Sequence, residues 1–208
     1  MSGIGKPERV TQNRVIALFR DELRYRFLGD RSDRDNSNIE EDLLTPYLAK
    51  CGYTPEQISR AIYLLRTEAT NPNRSLYENN KAVYSMLRYG VPVKIEAGKA
   101  TETVKVINWA QPEQNDFVIV EEVTLRGDNE RRPDLVLYVN GIAVAVIELK
   151  NSHVSVGDGI RQLLSNQQKM FHEWFFATVQ IVFAGNDSEG LRYGTDRKST
   201  RLNSSHVS

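Results

Sequence analysis

The sequence predicts an α/β protein in which a mixed, mostly antiparallel sheet is flanked by helices. Two patterns support this fold class: residues 8–90 carry apolar side chains at helical spacing, and residues 91–195 alternate apolar and polar side chains with many Val and Ile. A third observation is length, because 208 residues, 40% of them hydrophobic, suffice for one well-filled core but are few for two. We therefore expect one domain over residues 1–195, mainly helical at first and sheet-rich afterwards.

Four helices are predicted in the first part, from the apolar period and from residues that favour helix ends. They span residues 11–27, 39–50, 55–69 and 76–89. Thr11 is the expected cap of the first helix, and capping boxes mark the third at Thr54 and the fourth at Ser75. Pro46 lies near the middle of the second helix, where it can introduce a kink. Residues 29–38, "GDRSDRDNSN", are predicted to form a polar loop.

Strands are predicted after Gly90, where β-branched residues and short-range alternation begin. The stretches concerned are "PVKIEA", "ETVKVIN", "FVIVEEVTL", "DLVLYV" and "IAVAVIELK". Polar breaks of a few residues separate them, which favours antiparallel pairing of consecutive strands. A helix over residues 157–174 and a last strand, "VQIVFAG", complete the predicted order.

The last thirteen residues, 196–208, are excluded from this scheme. They show no apolar period, follow abruptly on "GNDSEGLRYGT", and back-translate into DNA that resembles a common sequencing adapter. We interpret them as an artefact; the alternative is a native disordered tail. Without them the chain loses one acidic and three basic residues, and its net charge falls from 0 to −2. Such a chain lacks the global positive charge of many nucleic-acid-binding proteins, so DNA contacts would come from a local patch or a partner.

Composition and missing motifs exclude several classes of protein. No apolar stretch approaches the roughly 20 residues of a membrane helix, and the start lacks the core of a signal peptide, so we expect a cytoplasmic protein without membrane contact. Cys51 is the single cysteine, which excludes a disulfide framework and a thiolate zinc site, and the three histidines are far apart in sequence. No phosphate-loop, G-x-S-x-G or H-E-x-x-H motif occurs.

Charged residues stand at the ends of two apolar strands in "RRPDLVLYVNGIAVAVIELK". Glu148 and Lys150 are two positions apart and therefore share one face of a strand. A two-residue Asn-Gly turn with regular pairing would put Asp134 on the opposite face, whereas a three-residue loop or a one-residue bulge would bring it beside Glu148. We predict the bulge or the longer loop, and Pro133 favours an irregularity at the strand entry.

If these side chains converge, they suit a narrow chemistry. Two carboxylates close together repel when both are ionised, and a divalent cation removes that repulsion. Oxygen ligands, with the carbonyl of Leu149 as a further candidate, select Mg²⁺ or Mn²⁺, which polarise a phosphoryl oxygen and acidify a water. A nearby lysine orients the nucleophile or offsets developing charge, as phosphodiester hydrolysis requires. The alternative interpretation makes Glu148 and Lys150 a surface pair and Asp134 a turn former.

The stretch "RRPDLVLYVNGIAVAVIELKNS" resembles the nuclease core of the PD-(D/E)xK superfamily. It is especially similar to the N-terminal endonuclease domain of the R (restriction and motor) subunit of type I restriction enzymes. The likeness extends through "ERVTQNRVIALFRDEL", "NIEEDLL", "SLYENNKAVYSMLRYGV" and "VFAGNDSEGLRYGT", and so covers nearly all of residues 8–195. It implies a restriction-endonuclease-like core, with Asp134 and Glu148 as ligands of Mg²⁺, or of Mn²⁺ as its substitute, and Lys150 as the catalytic lysine.

The resemblance implies two further contributions to the site. Related nucleases carry Q-x-x-x-Y on the helix after the lysine; here Gln162 matches, whereas Asn166 replaces the Tyr. Gln162 is therefore expected to support catalysis or contact DNA, with an ordinary solvated amide as the alternative. Members of the superfamily often add an acid from an early helix, for which Glu22, Glu41 and Glu78 are candidates.

The resemblance implies a Mg²⁺-dependent endonuclease domain of a type I site-specific deoxyribonuclease, which hydrolyses phosphodiester bonds of double-stranded DNA. The modification and specificity subunits are expected partners through regions missing from this chain, and ATP is expected to serve only a missing motor. The adapter-like tail and the lack of a phosphate loop predict a truncation before that motor. Alternatives are a stand-alone repair or restriction nuclease of the same superfamily, and a catalytically silent DNA-binding or assembly module on the same fold.

Overall fold

The computed structural model describes residues 8–96, 98, 100–127, 129–169 and 171–194. The tail over 196–208, predicted to be an artefact, lies outside these residues. The helices are α1 (Glu8–Ala17), α2 (Glu41–Lys50), α3 (Pro55–Ala69), α4 (Leu76–Tyr89), α5 (Val156–Asn166) and α6 (Glu173–Phe176). The strands are β1 (Arg26–Asp30), β2 (Val91–Val93), β3 (Glu102–Val104), β4 (Phe117–Glu121), β5 (Leu135–Val139), β6 (Ile142–Leu149), β7 (Ile181–Asn186) and β8 (Gly190–Gly194).

Six of these strands form one sheet in the order β1-β4-β5-β6-β7-β8, and β2 pairs with β3 in a separate small sheet. β1 runs parallel to β4 and β6 runs parallel to β7, while the other neighbouring pairs are antiparallel. β5 and β6 are nearly continuous apolar runs, as expected for central strands covered on both faces. The predicted fold class, a mixed and mostly antiparallel sheet flanked by helices, is confirmed.

Apolar side chains fill three clusters around this sheet. On one face α5 and α6 cover a cluster that includes Val146 and Leu163, and on the other face α1 covers a cluster that includes Ile16 and Ile147. Consecutive residues of β6 thus point into opposite clusters, which follows from the two-residue period of a strand. The third cluster lies among α2, α3, α4 and the small sheet, and it reaches the turn between β5 and β6 through Ile142.

The first helix differs from its prediction. α1 passes into a π-helical turn, Leu18–Glu22, and the chain then bends through Arg24, whose φ of 63° is left-handed. Residues Arg26–Asp30, predicted as the helix end and the start of a loop, form β1 at the edge of the sheet. Thr11 lies buried inside α1 and is not its cap. The prediction was wrong because Phe27 extends the helical apolar period, whereas pairing with β4 is a tertiary interaction that overrides it.

The other helices of the first part are confirmed. Thr54 and Gln57 form a reciprocal capping box, in which each side chain accepts a hydrogen bond from the backbone N–H of the other. Ser75 and Glu78 do the same at the start of α4. α2 continues past Pro46 as one assigned helix. Within the described ranges, no helix combines the length and apolar character needed to cross a bilayer.

The region after β6 is more divided than predicted. The helix expected over 157–174 consists of α5 and the single turn α6, and the carbonyl of Asn166 accepts a hydrogen bond from the N–H of His172 between them. β8 was not predicted, because four of its five residues are exposed and show no apolar alternation. It pairs with β7 at the far edge of the sheet.

A tight turn joins β5 to β6. Asn140 and Gly141 both have positive φ, 53° and 85°, as a two-residue hairpin turn requires. The buried Asn140 side chain donates to the carbonyl of Val106 at 2.8 Å and accepts from the N–H of Asp116 at 2.7 Å. A Cβ on Gly141 would lie 2.6 Å from the carbonyl oxygen of Glu40, so glycine is required where α2 meets the turn.

One extra residue, Val144, forms a bulge in β6. On its turn side β6 pairs in the register of the two-residue turn, and beyond it the register is shifted by one residue. Backbone carbonyls at the bulge accept hydrogen bonds from the segment before β7. The Thr178 hydroxyl donates to the carbonyl of Ala143 at 2.7 Å, and the N–H of Gln180 donates to the carbonyl of Val144 at 2.8 Å. The predicted bulge is confirmed, although it lies near the turn and not at Pro133.

Candidate active site

The bulge brings Asp134 and Glu148 to the same face of the sheet. Beyond it Leu135 pairs with Ile147, and the same register one step further sets Asp134 opposite Glu148. Lys150 follows two residues after Glu148, on the same side of the chain. The three residues that the sequence singled out therefore meet at the end of the hairpin remote from its turn.

Hydrogen bonds connect these positions directly. Oδ2 of Asp134 accepts from the backbone N–H of Leu149 at 2.6 Å, and Nζ of Lys150 donates to Oε1 of Glu148 at 2.5 Å. Asp134 is 8% exposed and Glu148 1% exposed. Oε2 of Glu148 is buried and finds no hydrogen-bond partner in the part of the chain that the structure describes. The site thus holds two carboxyl groups and one amine with little access to water.

Burial and repulsion from nearby acids disfavour the charged form of both carboxyl groups. Burial, and next the charge of Glu148, raise the pKa of Asp134 to about 8, against the opposing hydrogen bond from Leu149. Burial also raises the pKa of Glu148, although Lys150 opposes this shift. Burial disfavours the charge of Lys150, but its hydrogen bond and attraction to Glu148 outweigh burial and raise its pKa. A cation bound at this pair would restore the charge of both carboxylates.

Helix α5 lies directly over the site because position 159 is glycine. A Cβ on Gly159 would lie 3.2 Å from Cβ of Ala184, 3.5 Å from Cγ of Lys150 and 3.6 Å from Cγ of Glu148. The first distance is shorter than ordinary van der Waals contact, and the other two are contacts with the stems of the site residues. The hydroxyl of Ser155 caps the start of this helix. The lack of a side chain at Gly159 therefore lets α5 cover the carboxyl pair closely.

Gln162, predicted to contribute to the site, lies in α5 nearly one turn after Gly159 and is half-buried. Asn166, at the place of the Tyr in related nucleases, is fully buried one turn further on. Neither polar atom of its side chain has a hydrogen-bond partner among the described residues. Position 166 therefore faces the protein interior, and a catalytic or DNA-contacting role for Gln162 stays a prediction.

The three acids proposed as additional site residues from early helices each have a different role or position in the structure. Glu41 is ion-paired with Arg66, Glu78 caps α4, and Glu22 is exposed at the end of the π-helical turn. Glu8, in the first turn of α1, is instead an acid whose charge contributes to the raised pKa of both buried carboxyl groups. Glu8 was not predicted because the helix was expected to begin at residue 11, although Glu8 opens the matching stretch "ERVTQNRVIALFRDEL".

The residues of the site fit a hard divalent cation of the Mg²⁺ type. Asp134 and Glu148 offer carboxylate oxygens, one of them buried without a partner among the described residues. Leu149, whose carbonyl is the further candidate ligand, follows Glu148 directly in the chain. Mg²⁺ is commonly held by one or two carboxylates, with water and substrate phosphate as the other ligands. Among the described residues, no group of three His, Cys, Asp or Glu side chains is placed to hold a metal.

Comparison with known proteins identifies a family. Residues 6–201 match the family described as "Type I restriction enzyme R protein N terminus (HSDR_N)". The chain is 26% identical over 148 residues to the putative type I restriction enzyme MjaIXP endonuclease subunit of Methanocaldococcus jannaschii, which covers 67% of this chain and 14% of that protein. It is 32% identical over 80 residues to the type I restriction enzyme HindI endonuclease subunit of Haemophilus influenzae, which covers 36% of this chain and 8% of that protein.

The family match and the alignment to the Methanocaldococcus jannaschii protein extend over most of this chain, but each relative is matched over only a small part of its length. The alignment to the longer-matching relative spans 14% of its length. The match of the family to residues 6–201 covers every helix and strand described above. This chain therefore belongs to the family of type I restriction enzyme R protein N-terminal domains.

Proposed function

We propose that this chain is the Mg²⁺-dependent nuclease domain of a type I restriction enzyme, in which Asp134 and Glu148 hold the cation and Lys150 is the catalytic lysine. The observation that carries the proposal is the buried carboxyl pair, in which one oxygen of Glu148 lacks a partner among the described residues. Burying two like charges is unfavourable unless a positive charge joins them. A cation-binding role accounts for this arrangement.

Each residue of the proposed site has a separate task. When bound, the cation supplies positive charge that polarises a phosphoryl oxygen and acidifies a water molecule. The N–H of Leu149 fixes one oxygen of Asp134 and thereby orients the other. Lys150, half-buried beside Glu148, is proposed to orient the attacking water and to offset charge that develops on the phosphate. Gln162 on α5 is proposed to contact DNA or this water.

The proposed substrate is double-stranded DNA, whose phosphodiester bonds are hydrolysed. The names of the relatives, which are type I restriction enzyme endonuclease subunits, support this choice. We propose that target recognition, ATP-driven translocation and contacts with modification and specificity subunits belong to parts of the relatives that this chain does not match. The proposed location is the cytoplasm, where such an enzyme would meet incoming DNA.

Substitution of Glu148 by alanine tests the proposal. We expect the wild-type chain to cleave plasmid DNA with Mg²⁺ and to bind Mn²⁺ in a calorimetric titration, whereas Glu148→Ala loses both properties and still binds DNA. Glu68→Ala is the matched control, because it removes an acid that is ion-paired with Arg74 in the helical part. This control should behave as the wild type does.

Three outcomes would contradict the proposal in whole or in part. Equal cleavage by the wild type and Glu148→Ala would show that the reaction occurs elsewhere. Wild-type protein that binds DNA but neither binds Mn²⁺ nor cleaves would be the catalytically silent module. Mn²⁺ binding without cleavage would retain the metal site and reject nuclease activity of this chain by itself.

A further inference from the structure

The side chain of Gln12 lies behind the proposed metal site, on the face of the sheet that α1 covers. It is 3% exposed. Its Nε2 lies 3.2 Å from Oε2 of Glu121, 3.1 Å from Oε1 of Glu122 and 3.4 Å from the carbonyl oxygen of Asp134. All three neighbours are acceptors, so the nitrogen of the amide, and not its oxygen, must face them. One buried amide thus joins two carboxylates to the backbone of a proposed metal ligand.

The carbonyl of Asp134 is held from a second direction as well. The backbone N–H of Glu122 donates to it at 2.9 Å. Glu122 has a φ of 52°, a left-handed conformation that is uncommon outside glycine and persists where its surroundings enforce it. Because Gln12 also donates to the Glu122 side chain, the same amide fixes both the unusual turn and the peptide group that the turn contacts.

The charges of these acids are balanced mainly from the surface. Arg9 lies 2.7 Å from Glu121 and 3.6 Å from Glu122, and Arg132 lies 3.0 Å from Glu122. Both arginine side chains are about half exposed, whereas the Gln12 side chain is buried. The arginines therefore balance the negative charge of these acids. The hydrogen bonds of Gln12 connect α1 to the end of β4 and the entry of β5 and so fix the orientation of these groups.

We infer that Gln12 is a positioning residue for the proposed metal site. Its amide fixes the peptide of Asp134, while the N–H of Leu149 fixes the carboxylate of the same residue. Two contacts, one to the peptide and one to the carboxylate, thus set the direction of the second oxygen of Asp134. This inference rests on the proposed function, because it assumes that Asp134 is a ligand. Groups that orient metal ligands change metal affinity or activity by about 10–100-fold when they are removed.

The experiment replaces Gln12 by methionine, which keeps the length and burial of the side chain and removes its donor. We expect Mn²⁺ binding, measured by calorimetry, to weaken about tenfold, and the Mg²⁺ concentration that gives half-maximal cleavage to rise by a similar factor. DNA affinity should not change. The matched control is Ile16→Val, which trims an apolar contact of the same helix; it should lower the melting temperature and leave Mn²⁺ affinity at the wild-type value.

A second variant covers the case in which Gln12→Met does not fold, as judged by circular dichroism. Gln12→Asn keeps a donor but is one carbon too short to reach all three oxygens, so a smaller loss of Mn²⁺ affinity is expected. Folded Gln12 variants with wild-type Mn²⁺ affinity, beside a Glu148→Ala variant that has lost it, would overturn the positioning role and keep the proposed function. A wild type that does not bind Mn²⁺ would overturn the proposed function, and the inference with it.

Discussion

Two pairs of buried or half-buried acids lie at neighbouring strand ends, and they differ in the number of donor and positively charged groups around them. Glu121 and Glu122 are surrounded by donors from two arginines and one amide. Asp134 and Glu148 have the amine of Lys150 and one backbone N–H, and one oxygen of Glu148 lacks a partner among the described residues. The first pair is neutralised by the protein itself. The second is neutralised less completely by the described residues, and the proposed cation would supply the missing positive charge.

The largest expected difference between the pairs is in cleavage. Asp134→Asn should lower the Mg²⁺-dependent rate by a factor of about 10²–10³, because it removes charge from the reacting centre. Glu121→Gln should lower it by less than about tenfold, because the effect is indirect. Initial rates of plasmid nicking at saturating Mg²⁺ measure both. Equal losses would show that the two pairs do not differ in function.

The next difference is in the pH dependence of stability without metal. The pKa of Asp134 is about 8 in the folded chain against an ordinary value of 3.8, so between these values the folded state retains a proton that the unfolded state releases. The free energy of unfolding should therefore fall as pH rises from about 4 to 8, by up to about 1.4 kcal/mol per pH unit. Asp134→Asn should remove the contribution of Asp134 and leave that of Glu148, whose pKa is also raised, whereas Glu121→Gln should keep the wild-type slope.

Urea unfolding at pH 5 and at pH 8, in the presence of a chelator, measures this slope. Addition of Mg²⁺ at pH 8 should stabilise the wild type and leave Asp134→Asn nearly unchanged, because only the wild type offers both carboxylates. An identical pH dependence of the free energy of unfolding in the wild type and Asp134→Asn would show that the surroundings do not raise the pKa of the Asp134 carboxyl group.

The smallest expected effect belongs to Arg9. Its side chain is 52% exposed, and an exposed ion pair typically contributes less than about 1 kcal/mol. Arg9→Ala should therefore lower the free energy of unfolding by less than about 1 kcal/mol and change Mn²⁺ affinity less than Gln12→Met does. If Arg9→Ala lost more Mn²⁺ affinity than Gln12→Met does, the surface charge of Arg9, and not the amide of Gln12, would position the metal ligand.

Local rules were sufficient for much of this fold. Both capping boxes formed where the sequence placed them, because they depend on residues three positions apart. The strict two-residue period of a strand also showed that Asp134 and Glu148 could converge only with a bulge or a longer loop, and the bulge is what the structure has. β1 and β8 were missed because they are edge strands whose pairing, and not their pattern, defines them. Gln12 was missed because its three acceptors lie more than 100 residues away in sequence.

Because of the bulge at Val144, the pairing of Asp134 with Glu148 depends on the number of residues between each of them and the Asn-Gly turn. Five residues separate Asp134 from the Asn-Gly turn and six separate Glu148 from it, so Val144 is the surplus. Deleting it would give arms of equal length, and a regular ladder would still set the two carboxyl groups opposite each other. Adding a residue to the β6 arm would need a second irregularity. A relative one residue shorter here therefore keeps the pair, and one residue longer keeps it only with a further bulge.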